Sequence, residues 1–174
     1  MTATKAQEPA TTTATALPQG APAHFGPHVF EKSFTVPAPR EAVWAWLNDP
    51  ATFVDGQVWP FRVEFVGGGM EPGVLNIHHG PAMNFVGVVG EMHRPVFRDL
   101  HYLYGSYAVT LRWFRPTRLR FWLAENGDGE TVVRLRLDSL VRRRMHGAWT
   151  FLLKAYWSLF PFWTRRGVAR RERR

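Results

Sequence analysis

The chain has 174 residues, enough for one domain and not comfortably two, and 45% of them are apolar, so a real core can form. It contains no cysteine, which excludes disulfides, thiolate catalysis and Cys-ligated zinc or iron–sulfur sites. The formal charge is +8, with six arginines and one glutamate between positions 165 and 174 and a second cluster at Arg142, Arg143 and Arg144. A basic end attracts nucleic acid or anionic lipid. A solvated tail is the simpler reading, and nucleic acid ranks last because no recognition motif accompanies the arginines.

Residues 1–27 are rich in Thr, Ala and Pro and lack the apolar core of a secretory signal, so a disordered leader and a cytoplasmic protein are expected. Val29 to Val36 has strand composition and stops at Pro37-Ala38-Pro39. Pro39 suits the first turn of a helix, and Glu41 to Leu47 follows with Val43, Trp44, Trp46 and Leu47 as its apolar set. Asn48-Asp49-Pro50 breaks that helix, and Ala51 to Val54 reads as a second short one. Strand segments then run from Phe61 to Val66, Gly73 to His79, Met83 to Met92, Phe97 to Tyr104, Tyr107 to Phe114, Arg118 to Ala124 and Thr131 to Val141. Gly105-Ser106 reads as a two-residue hairpin loop, Arg115-Pro116 as a turn, and Asn126-Gly127-Asp128-Gly129 as the strongest turn signal in the chain. Val133, Leu135 and Leu137 alternate with Arg134, Arg136 and Asp138, as Leu119, Phe121 and Leu123 do with Arg118 and Arg120, so one sheet face is expected to be wet.

Arg142 to Trp163 reads as one long helix. Met145, Trp149, Leu152, Tyr156, Leu159 and Trp163 are spaced to lie on one face and to pack on the sheet. Leu153, Trp157 and Phe160 form a second stripe, expected to be covered by a dimer partner, a loop or an anionic membrane surface aided by the Arg tail. The run is too short, and too interrupted by Lys154 and Pro161, to cross a membrane.

The stretch Phe34-Thr35-Val36-Pro37-Ala38-Pro39-Arg40-Glu41-Ala42-Val43-Trp44-Ala45-Trp46-Leu47-Asn48-Asp49-Pro50 resembles the START-like (SRPBCC) superfamily. So does the Gly127 to Thr131 turn leading into an Arg/Leu-alternating strand and a closing helix. The resemblance covers roughly residues 29–163. It implies an α+β helix-grip fold: a curved antiparallel sheet of about seven strands around a long C-terminal helix, with two short helices after the first strand. The strands counted above number eight, and the extra break falls at Gly105-Ser106. The domain is placed at 28–164, followed by a basic tail. The resemblance also implies an apolar cavity that binds lipids, sterols or aromatic polyketides, with some relatives catalysing cyclisation or hydrolysis.

Binding of a small hydrophobic molecule is therefore the first functional reading, with no cofactor and no metal. His79, Phe85, Tyr102, Tyr104, Tyr107, Trp113, Phe121, Trp149 and Tyr156 are the expected lining. His78 and His79 are adjacent, so they point to opposite faces of a strand and cannot share a metal, and His79 is assigned to the cavity. Asp99 and His101 share a face at spacing two and form a candidate acid–base pair for a cyclase-like enzyme. Phe97 and Leu103 make one face of that strand apolar, Leu100, Tyr102 and Tyr104 the other, so alternation leaves open which face meets the cavity. No Gly-x-Ser-x-Gly, phosphate-cradling loop or dinucleotide fingerprint is present.

Overall fold

Proline decides where the first strand stops. Phe25–Val36 forms β1 and runs directly into the Pro37-Ala38-Pro39 turn, where the Ala38 carbonyl accepts a 2.7 Å hydrogen bond from the buried Thr131 hydroxyl. The Pro39 carbonyl then takes the first amides of α1, Arg40–Leu47, whose Val43, Trp44, Trp46 and Leu47 all turn inward. A second short helix, α2, spans Pro50–Asp55. The computed structural model describes residues 22–55, 62–80, 84–105 and 112–173.

Among those residues six strands follow β1: β2 Arg62–Phe65, β3 Leu75–His79, β4 Phe85–His93, β5 Phe97–Gly105, β6 Phe114–Glu125 and β7 Thr131–Arg142. They form a single seven-stranded antiparallel sheet in the order β1-β7-β6-β5-β4-β3-β2. The strand expected at Tyr107 to Phe114 falls mostly outside the described residues, and Phe114 itself opens β6. Arg115-Pro116 is no turn: Pro116 sits within β6 opposite Ser139, at a register shift that ends at Arg118. Two more shifts separate Val86 from Gly87 and Val89 from Met92, and such bulges bend a sheet. The Asn126 to Gly129 turn is as expected. Gly129 has φ 75°, and the Asn126 side-chain oxygen accepts from the amides of Asp128 and Glu130.

The outer face of the sheet is not simply wet. Arg120 and Asp138, expected in water, are 4% and 6% exposed and pair with each other. Arg136 bonds the same carboxylate at 2.9 Å, and Arg134 and Arg136 both reach Glu31 on β1. The Arg120 and Arg134 guanidinium groups lie over the Trp122 ring. Alternation correctly separates the two faces. It cannot say that charges on one face cover one another, because that depends on which strands are neighbours.

The last helix differs most from the expectation. A 3-10 turn at Arg143–Met145 leads into α3, His146–Ser158, and a break at Leu159 precedes α4, Phe160–Glu172. Pro161 lies in the first turn of α4, where its missing amide breaks no helical bond but cannot continue α3. The buried residues of α3 are Trp149, Leu153 and Trp157, whereas Leu152, Tyr156 and Leu159 are 47%, 41% and 50% exposed. The second stripe is thus the one that packs on the sheet, and its Leu153 and Trp157 are not available to a dimer partner. Trp149 stacks on Phe114 with ring centroids 4.6 Å apart and donates its indole N–H to Ser139.

The Arg-rich segment is structured through Glu172, beyond the boundary expected at 164, and β1 begins at Phe25, inside the expected leader. Thr164 and Val168 of α4 are buried, Arg165 donates to the Thr35 carbonyl at 2.8 Å, and Arg171 pairs with Asp49. Gly167 lets α4 approach α1, because a Cβ there would overlap the Trp46 indole. Replacing Gly167 with Ala should cost roughly 1–3 kcal/mol of unfolding free energy. Gly147→Ala, on α3 with nothing near its missing Cβ, should instead gain about 0.5 kcal/mol. Urea unfolding of the two variants reads both signs.

Candidate functional site

The inner face of β5 sets the site. Arg98 faces Phe121 and Leu100 faces Leu119 across the β5–β6 ladder, so Arg98, Leu100 and Tyr102 point to the core side, and Asp99 and His101 to the other. Leu100 in turn faces Val89, and Tyr102 faces Gly87, which faces Asn76 on β3. His78, two residues beyond Asn76, shares that inward parity and sets its ring 5.2 Å from Tyr102.

Helix α3 packs on β1 and β7, and the space between the helices and the inner faces of β2 to β7 is left as a cavity of about 240 Å³. That is near the small end of the ligand-pocket range, which begins at about 300 Å³. Its wall is mostly apolar: Phe53, Val63, Phe65, Phe85, Leu100, Leu119, Phe121 and Leu137, with Trp149, Leu152, Leu153, Tyr156, Trp157 and Phe160 from the helices. The exposed lining residues Arg62, Leu152 and Tyr156 mark its mouth.

Of the residues singled out from the sequence, His79, Phe85, Tyr102, Phe121, Trp149 and Tyr156 all line this cavity. Trp113 packs at the edge of the core and is not in the wall. Tyr107 and the Tyr104 side chain lie outside the described residues. His79 sits near the mouth, 3.4 Å from Glu64, and the histidine that reaches the interior is His78.

Asp99 and His101 are on the opposite side of the sheet. Asp99 is fully buried there beneath Arg118, which bonds both of its oxygens at 2.7–3.0 Å, and His101, whose Nε2 is 2.6 Å away. That hydrogen bond to Asp99 is the main reason the Arg118 pKa is raised. Gly90 leaves room for the pair, since a Cβ there would fall 2.7 Å from the His101 ring. The cluster joins β4, β5 and β6 and does not touch the cavity, so this pair supplies no acid or base to a molecule bound inside.

Sequence reasoning named Tyr102 but missed Arg98 and assigned the inward histidine to His79 rather than His78. Arg98 is 2% exposed. Its Nη1 donates to the Leu47 carbonyl and lies near Asn48 Oδ1 and Met70 Sδ, while its guanidinium lies over the rings of Phe53 and Phe121 at 5.6 and 5.0 Å. No carboxylate pairs with it among the described residues, and its buried Nε has no hydrogen-bond partner. Burial lowers the Arg98 pKa to about 10, still leaving it a cation at neutral pH, with Tyr102 acting in the opposite direction.

His78 is driven the other way. Burial first, then the charges of Arg98 and His79, push its pKa down to about 3. It is therefore neutral, and its Nε2 shares a 2.9 Å hydrogen bond with the Asn76 side chain. Burial and Tyr156 raise the Tyr102 hydroxyl, against a smaller lowering by Arg98. Asn76 is fully buried, and its Nδ2 has no partner. A signal for Arg98 did exist in the sequence: it is the one charge at the Leu100/Tyr102 parity of its strand. Among the described residues no group of three His, Asp or Glu is placed to hold a metal ion, and no helix is long and apolar enough to cross a membrane.

No protein-family model and no curated protein sequence matches this chain. Solved structures do. A START superfamily protein from Mycobacterium smegmatis is 14% identical with a TM-score of 0.65, covering 82% of this chain and 98% of its own. Norcoclaurine synthase from Thalictrum flavum, in complex with dopamine and hydroxybenzaldehyde, is 10% identical with a TM-score of 0.64, covering 92% of this chain and 96% of that one. Ara h 8.0201 is 16% identical with a TM-score of 0.54, covering 80% and 98%. Likeness at such identities is a likeness of fold. With the strand order and the closing helices described above, it establishes that this chain has the helix-grip fold of START-like proteins.

Proposed function

We propose that the protein binds a small, largely apolar organic molecule in the cavity between the closing helices and the inner face of the sheet. The observation that carries this reading is a cavity of about 240 Å³ walled mostly by aromatic and aliphatic side chains, with Arg98, His78 and Tyr102 among them. A ligand that binds there in the folded state alone raises stability by mass action. The norcoclaurine synthase structure holds small aromatic molecules, which supports a ligand of that size class without identifying it. The cyclase-like alternative keeps the cavity tyrosines and His78 as acid–base groups, and nothing in their geometry favours it over binding.

A second reading concerns the surface beside the mouth. Phe151, Leu159 and Phe162 are 71%, 50% and 53% exposed, and exposed Lys154, Arg165 and Arg166 lie near them along α3 and α4. Apolar rings beside cations suit an anionic bilayer, which would take the rings into its interface and attract the charges. Such a surface would bring the cavity mouth to the source of an apolar ligand.

Three results would check these readings. Leu119→Trp, which fills the cavity wall, should weaken binding of the neutral fluorophore 1-aminoanthracene at least tenfold with little loss of fold, measured by fluorescence titration. Because folded His78 titrates well below its unfolded value, the unfolded chain takes up the extra proton between about pH 6.5 and 3, and stability falls as pH drops through that window. His78→Gln should therefore reduce the loss of stability between pH 7 and 4 by roughly 1–3 kcal/mol, read from urea midpoints at each pH. Finally, the Phe151→Asp/Phe162→Asp double variant should lose co-sedimentation with phosphatidylserine-containing vesicles while still binding 1-aminoanthracene.

A further inference from the structure

The cavity wall contains a full positive charge that no carboxylate among the described residues neutralises. Arg98 is the second residue of β5 and is 2% exposed, yet among the described residues its only polar contacts are a backbone carbonyl, an amide oxygen and a thioether sulfur. Two aromatic rings face its guanidinium, which eases the cost of burial without cancelling the charge. A buried ion of this kind is expensive unless paired. Elsewhere in the same chain the buried charges are paired: Arg120 with Asp138, and Asp99 with Arg118 and His101.

We propose that the cavity takes an organic anion, a molecule with one carboxylate and an apolar body, and that Arg98 receives the carboxylate. This rests on the cavity-binding reading above and gives its ligand a charge. The geometry of the guanidinium selects the group. Nη1 is already committed to Leu47 and its neighbours, and Nε and Nη2, which make no hydrogen bond among the described residues, form the edge that a carboxylate meets with two parallel bonds. The neighbours select a single charge. His78 is neutral and Arg62 at the mouth is already paired with Glu64, so Arg98 is the only uncompensated cation the described wall offers, too little for a phosphate dianion. The Tyr102 hydroxyl, inward on the same strand, is a further donor on the wall. With the carboxylate at the Arg98 end, the body extends through Leu100, Leu119 and Phe121 towards Leu152 and Tyr156 at the mouth.

The test uses pairs of probes that differ only in charge: benzoate and benzamide, 4-phenylbutyrate and 4-phenylbutanamide, octanoate and octanamide. Affinities for the full-length protein are measured by isothermal titration at pH 7.5, with 1-aminoanthracene as a neutral reference. The expected result is that, for at least one pair, the acid binds tenfold or more tighter than its amide, and that Arg98→Met abolishes this preference. Arg98→Lys, which keeps the charge but not the planar fork, should retain part of the preference. Amides that bind as tightly as their acids would overturn the proposal and leave the cavity reading intact. Failure of every probe, 1-aminoanthracene included, would overturn both. The wild-type comparison of acid with amide decides the matter even if Arg98→Met destabilises the contact to Leu47.

Discussion

The position of α3 on the sheet determines where this molecule can hold anything. Trp149, Leu153 and Trp157 recur every four residues, and each step of four overshoots a full turn by about 40°, so the buried stripe winds around the helix. It seats α3 against β1 and β7, with Trp149 flat on Phe114 and tied to Ser139. At the α1 end, Gly167 and Val168 hold α4 close, so the helical pair cannot slide across to the far strands. The cavity is the part of the bent sheet that this arrangement leaves uncovered.

The outer face of the sheet works under a different constraint. A strongly bent sheet with one face towards solvent needs that face to be compatible with water and also tied across the strands. Here the two needs are met by cross-strand ion pairs, Glu31 with Arg134 and Arg136, Arg120 and Arg136 with Asp138, and Arg118 and His101 with Asp99. Exposed ion pairs contribute little, but Asp138 and Asp99 are buried beneath their partners, where removing one member of a pair would leave an uncompensated charge. The Asp99–His101 arrangement looks like a catalytic pair when the two residues are read alone. Its place in this ladder accounts for it without any chemistry.

The inner face has the reverse pattern, with few polar groups and each pushed towards one charge state. His78 is kept neutral and Tyr102 protonated, while Arg98, whose intrinsic pKa is far above neutral, remains charged despite burial. An apolar wall with one fixed cation has a direction, and a ligand inside it would too.

Much of the architecture could be read from the residues. The Pro37-Ala38-Pro39 stop, the Val-Trp helix ending at Asn48-Asp49-Pro50, the Asn126 to Gly129 turn and the alternation in β6 and β7 are local signals, and local geometry follows from them. The in/out alternation of Phe121 was legible for the same reason, and Tyr102, Trp149 and Tyr156 also line the cavity although local pattern alone did not fix their facing. What stayed hidden needed distant neighbours. Leu152 and Leu153 are both apolar and about 100° apart on α3, and only the seating of the helix, fixed by Gly167 and Pro161 further on, buries one and exposes the other. Asp99 and Arg98 are adjacent and both charged, and the strand's own alternation puts them on opposite faces without saying which is inside. That was decided by pairing across to Leu119 and Phe121, because the face that buries most apolar area becomes the core.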